Sequence, residues 1–181
     1  MTRQPLPLID PDRSEFGFSR TVCACPACAQ CCRHIPGYLL PDDLDRIRQH
    51  VAPAADPVAW ARRHLLASPG ALVAQRGRVF RIPTLVPARR PDGACMFLTA
   101  DERCAIHPVA PFGCAFFDMH MPTAEADRRS HRGLQALLDA WKRGDFYAQV
   151  WATLQEAGLQ APAPEESRRQ LRQAADGEAS S

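Results

Sequence analysis

The sequence predicts a mainly α-helical protein with a small β-hairpin, built as one irregular domain that closes with a C-terminal helical hairpin. Three observations lead there. Helix-start signals and apolar positions at helical spacing recur in short stretches, interrupted by 17 prolines. A length of 181 residues suits one compact domain, and 46% hydrophobic with 23% charged residues is enough to bury a core. The chain also carries 8 cysteines, and they fall in two separated groups.

Residues 1–22, proline-broken and polar, are expected to form an irregular arm with Phe16 and Phe18 as anchors. Pro41 with Asp42 and Asp43 marks a helix start, and Leu40, Leu44, Ile47 and Val51 share one face. Asp56 as N-cap and Pro57 behind it begin a second helix, expected to run through Trp60 and Leu65 to a stop at Ser68-Pro69-Gly70. Between Leu72 and Val86, short apolar stretches flank Arg76-Gly77 and predict the hairpin, limited by Pro83 and Pro87 to short pairing. Ala94 to Leu98 reads as a short strand between turns, which sets Cys95 and Cys104 across a tight loop. Leu134, Leu137, Leu138 and Trp141 then give a helix stopped at Gly144. Asp145 caps its partner, with Phe146, Val150, Trp151 and Leu154 as the apolar face. The domain is expected to occupy residues 23–160, and 161–181 to be a mobile tail poor in apolar residues.

Charge and segment patterns narrow the function classes. Lys+Arg 22 against Asp+Glu 20 leaves a net charge of +2, which argues against a phosphate-backbone binder. Met1 to Asp12 lacks the apolar run of an export signal, and no stretch is long enough to span a bilayer, so neither nucleic acid nor membrane is an expected partner. The expected location is cytoplasmic. Structural disulfides are disfavoured there, so clustered thiols point to metal or redox chemistry.

The first group contains C-x2-C-x2-C-C at Cys25, Cys28, Cys31 and Cys32, and the second is Cys95, Cys104 and Cys114. A two-residue gap lets successive thiolates face one centre, as in zinc sites and iron–sulfur loops alike. Adjacent side chains diverge, so one of Cys31 and Cys32 is expected to leave the centre bound by Cys25 and Cys28. Cys25, Cys28 and Cys31 match three ligands of the bacterial ferredoxin run, but the fourth position is Ile35, followed by Pro36. A ligand from the second group would complete the set and staple the two halves of the chain through metal. A thioredoxin-like site lacks its βαβ context, and the C-x3-C-x2-C of radical SAM enzymes is absent. His34 and His107, each three residues past a cysteine, are candidate ligands or supporting donors.

Cys25-Pro-Ala-Cys28-Ala-Gln-Cys31-Cys32, Cys95-Met-Phe-Leu98, Cys104-Ala-Ile-His107-Pro and Pro111-Phe-Gly-Cys114 together resemble the YkgJ-type cysteine cluster family, also described as a CxxCxxCC zinc- or iron-chelating domain. The resemblance spans about residues 23 to 118. It implies metal binding by Cys25, Cys28, Cys31, Cys32, Cys95, Cys104 and Cys114, with Cys23 outside the pattern. Family members commonly carry Arg-Pro before the last cysteine and Arg after it; here Ala110-Pro111 and Ala115 stand there.

The leading expectation is a metal-binding protein, structural or electron-transferring, with a 4Fe-4S cluster favoured and zinc as the alternative. A second is an enzyme or enzyme subunit with a structural cluster, such as a methyltransferase by analogy with flagellar lysine methylases. No glycine-rich nucleotide loop supports it, and Asp118, His120 and Glu125 are its only neighbouring acid/base candidates. A third is an adaptor for an unknown protein partner.

Overall fold

The structure, a computed structural model, describes residues 19–20, 32–75, 77–117, 121–167 and 169. Helix α1 (Pro41–Val51) starts as its sequence dictates, with Pro41 in the first turn beside Asp42 and Asp43. Asp43 is fully buried, and its Oδ2 accepts from the N–H groups of both Leu40 and Phe112 at 2.8 Å. Its other oxygen pairs with Arg46, whose guanidinium also reaches the Ala110 carbonyl. One carboxylate thus caps α1 and fastens a segment nearly seventy residues away.

Helix α2 (Pro57–His64) is capped by Asp56, whose side chain accepts from the Ala59 N–H at 2.8 Å. It ends at His64, not near Ser68 as the periodicity suggests. Leu65–Ser68 is instead strand β1, with Leu65, Ala67 and Ser68 buried. Strands β2 (Leu72–Gln75) and β3 (Arg78–Arg81) form the expected hairpin, in the register Leu72 opposite Arg81. Strand β4 (Thr84–Pro87) returns to pair antiparallel with β1, Leu65 opposite Pro87 and Ser68 opposite Thr84. A long-range partner therefore supplies the pairing that ends α2.

Ala94 to Leu98 is not a strand. The Cys95 carbonyl accepts from the Leu98 N–H at 3.0 Å, closing a turn, and only single bridges join Arg89 to Cys95 and Leu98 to Cys104. A short helix, α3 (Phe112–Ala115), follows.

The C-terminal hairpin consists of α4 (Thr123–Arg143) and α5 (Phe146–Glu156). Gly144, left-handed at φ 60°, ends the first, and the Asp145 side chain accepts from the Tyr147 N–H to start the second. The expected inward face of α5 is rotated at its start: Phe146 is 45% exposed, and Tyr147 is buried in its place. The Tyr147 hydroxyl accepts from the Leu85 N–H at 2.7 Å and donates to the Leu39 carbonyl at 2.9 Å. A phenol that serves two buried backbone groups has to point inward, and it sets the helix rotation. Trp141 and Trp151 meet edge to face, and their indole N–H groups bind the Pro83 and Ser68 carbonyls. Both are half-buried and pack against the core.

The core runs through Leu39, Leu44, Ile47, Trp60, Leu65, Leu85, Leu137, Val150 and Leu154. Beyond Gly158 the chain still keeps to the body: the Ala67 N–H binds the Leu159 carbonyl, Ala161 returns a bond to Ala67, and Glu165 pairs with Arg81. Among the described residues, no helix is long and apolar enough to cross a membrane.

Candidate metal centre

Cys95 and Cys104 begin two turns of the same design. In each, the cysteine carbonyl accepts from the N–H three residues on, Leu98 in one and His107 in the other. In each, the backbone amide two residues on, of Phe97 or Ile106, favours the thiolate form of the cysteine. The turns are laced together by Ala105 N–H to the Phe97 carbonyl at 2.9 Å and Thr99 N–H to the Arg103 carbonyl at 2.8 Å. Phe97, Leu98 and Ile106 are buried and anchor the loops, leaving the sulfurs to be aimed by the backbone.

Cys114 reaches the same place through two glycines. A side chain on Gly37 would sit 2.1 Å from the Gly113 carbonyl carbon, and one on Gly113 would sit 2.4 Å from the Tyr38 nitrogen. With hydrogens there, the strands of backbone touch, Gly113 N–H binds the Tyr38 carbonyl, and Gly37 N–H reaches Cys114 Sγ at 3.2 Å. Cys32 lies in a helical turn at residues 32–34, and its carbonyl accepts from the Cys95 N–H at 2.7 Å. That bond ties the end of the first cysteine group to the start of the second. Arg33 pairs with Glu102 across the same junction.

The electrostatics show the four sulfurs sharing one neighbourhood. Burial pushes the Cys32 thiol up to about 11, and nearby Cys104 adds to the rise. Cys95 is raised to about 12, first by burial and then by Cys32 and Cys104. Burial, reinforced by all three others, raises Cys114 well above the ordinary thiol value. Cys104 is raised by burial, and Arg20 works against the rise. None of the four is in a disulfide.

This donor set suits a bound cation. A neutral thiol is a weak acceptor, whereas a thiolate accepts readily; Cys114 Sγ receives the Gly37 N–H, and the Phe97 and Ile106 amides favour the thiolates of Cys95 and Cys104. Arg20 and Arg89 add positive charge near Cys104 and Cys95. With no cation the buried thiols hold their protons at neutral pH, so metal binding would release protons.

Cys25, Cys28 and Cys31, together with Cys23, lie outside the described residues, as do Phe16, Phe18, Asp118 and His120. Among the described residues, no three His, Cys, Asp or Glu side chains are arranged to hold an ion by themselves. His34 shares the turn of Cys32. Burial, then Arg20 and Arg103, depress the His107 imidazole. Glu125 is occupied by Arg129 and Arg128, whose hydrogen bonds hold it below the usual carboxylate range. Sequence reasoning missed Gly37, Gly113, Arg20 and Arg89. Only the glycines left any signal, as small residues beside a cysteine and behind the thiol group.

The model of the family described as CxxCxxCC: putative zinc- or iron-chelating domain matches residues 24–136. No curated protein and no solved structure matches the chain.

Proposed function

We propose, from the premise that this chain belongs to the CxxCxxCC family of zinc- or iron-chelating domains, that its metal is held by thiolates drawn from Cys25, Cys28, Cys31, Cys32, Cys95, Cys104 and Cys114 and serves as a staple between distant segments. The group favoured is a 4Fe-4S cluster, with zinc as the alternative occupant. The observation that carries the reading is the backbone that joins Cys32 to Cys95 and Leu98 to Cys104, with the Gly37 N–H on the Cys114 sulfur and the charges of Cys32, Cys95 and Cys104 acting on Cys114. Such hydrogen bonds and dry surroundings stabilise a thiolate-bound centre and, for iron, set its potential.

When bound, the group supplies a positive centre able to hold several buried thiolates together, and an iron cluster adds one-electron chemistry. The chain's part is to orient sulfurs and exclude water. Cys95 is buried, while Cys32, Cys104 and Cys114 are half-buried. Sulfurs drawn from so many turns favour a structural role first.

Purification without oxygen, followed by iron, sulfide and zinc analysis, tests the reading. A brown protein with iron and sulfide in equal amounts is expected, and the colour should bleach on reduction. A colourless protein with stoichiometric zinc would overturn the cluster and keep the staple. A protein with neither metal would overturn both.

A further inference from the structure

Outside the thiols, the best-defined polar arrangement at this site comes from the far end of the chain. Arg20 donates from Nη1 to the Pro108 carbonyl and from Nη2 to the His107 carbonyl, both at 3.0 Å. Those carbonyls lie in the turn directly after Cys104. The neighbouring Ser19 carbonyl accepts from Arg129 Nη1 at 2.9 Å, and the same nitrogen reaches the Phe116 carbonyl, two residues past Cys114. Residues 19–20 are thus pinned between the segment after Cys104 and the segment after Cys114. A guanidinium fork held by two carbonyls has little freedom to swing away.

The location matters because of charge. A zinc ion with four thiolates, or an oxidised 4Fe-4S core with four thiolates, carries a net charge of about −2 in a setting that water reaches poorly. Fixed positive groups offset that charge. Arg89, whose backbone is bridged to Cys95, acts on that thiol, and Arg20, 84 positions upstream of Cys104, acts on Cys104.

We propose that Arg20 is a positioning residue for the metal centre: a counter-charge carried by the N-terminal arm that slows loss of the metal. The proposal rests on the metal-binding reading above, and it applies to zinc and to iron alike.

The test is the rate at which the full-length, metal-loaded protein loses its metal to excess EDTA. Arg20→Gln should accelerate loss by about three- to tenfold. Arg20→Lys, which keeps the charge but not the fork, should recover most of the difference. Raising the salt concentration should speed loss from the wild type more than from Arg20→Gln. Equal rates for wild type and Arg20→Gln would overturn the proposal, and so would an Arg20→Lys protein as fast as Arg20→Gln, since that marks a strap without an electrostatic part. If Arg20→Gln does not fold, the salt dependence of the wild type decides: a rate independent of salt contradicts the counter-charge. Failure of the metal-binding reading shows itself separately, as a wild type that holds neither zinc nor iron.

Discussion

The body of helices and strands and the loop region from Ala88 to Phe117 are held by different forces. In the body, apolar faces meet: α5 lies on β1, and Tyr147, Trp141 and Trp151 each satisfy a backbone group while filling the core. In the loop region, turns and one short helix replace longer elements, and buried sulfurs sit among apolar anchors such as Phe97, Leu98, Ile106, Phe112 and Phe116. The first region can be stable through burial of surface. The second brings three desolvated thiols together beside Cys32, an arrangement that gains little until a cation joins them. The contrast predicts that damage to the body lowers stability at normal metal content, whereas damage to the loop region lowers both.

Gly113→Ala should break the loop region most severely. Its new methyl would lie 2.4 Å from the Tyr38 nitrogen, so backbone would have to move and carry Cys114 with it. A loss of about 3 kcal/mol or more in denaturant unfolding is expected, together with loss of bound metal. Gly144→Ala is the control: nothing lies within 4 Å of the added carbon, and only the left-handed backbone resists, at a cost of about 1 kcal/mol with metal unchanged. Equal effects of the two would refute the close-approach argument.

In the body, Tyr147→Phe should cost about 2 to 4 kcal/mol, because the Leu85 N–H and the Leu39 carbonyl both lose their buried partner. Metal per protein should stay at the wild-type level. Metal loss as large as that of Gly113→Ala would show that the two regions are not separable. Asp56→Ala removes only the cap of α2 and should cost about 1 kcal/mol by the same measurement. Cys23→Ser, outside the family pattern, should change metal content least, and a loss matching Cys114→Ser would show the ligand set to be drawn too narrowly.

The same contrast decides what the sequence could reveal. Helix starts at Pro41 and Asp56, the hairpin around Gly77 and the stop at Gly144 depend on neighbours a few residues away, and each was legible. Strand β1 was not, because no local stop signal precedes Ser68-Pro69-Gly70 and its competing partner, Pro87, lies 22 positions beyond Leu65. Phe146 looked like the inward residue of α5 because its hydrophobicity is local. The rotation is set by the Tyr147 hydroxyl, which donates to the Leu39 carbonyl and accepts from the Leu85 N–H, and no periodicity encodes that. For the site, cysteine spacing showed which sulfurs group together along the chain. That Gly37 meets Gly113, and that Arg20 crosses to the turn after Cys104, follows only from the folded backbone.

The central claim is that sulfurs from distant segments surround one kind of metal centre. X-ray absorption at the edge of whichever metal the purified protein holds measures this directly. An inner shell made of sulfur, at about 2.3 Å for either metal, and its loss in Cys114→Ser, is the predicted result. An inner shell of nitrogen and oxygen, or a sulfur shell unchanged in Cys114→Ser, would contradict it.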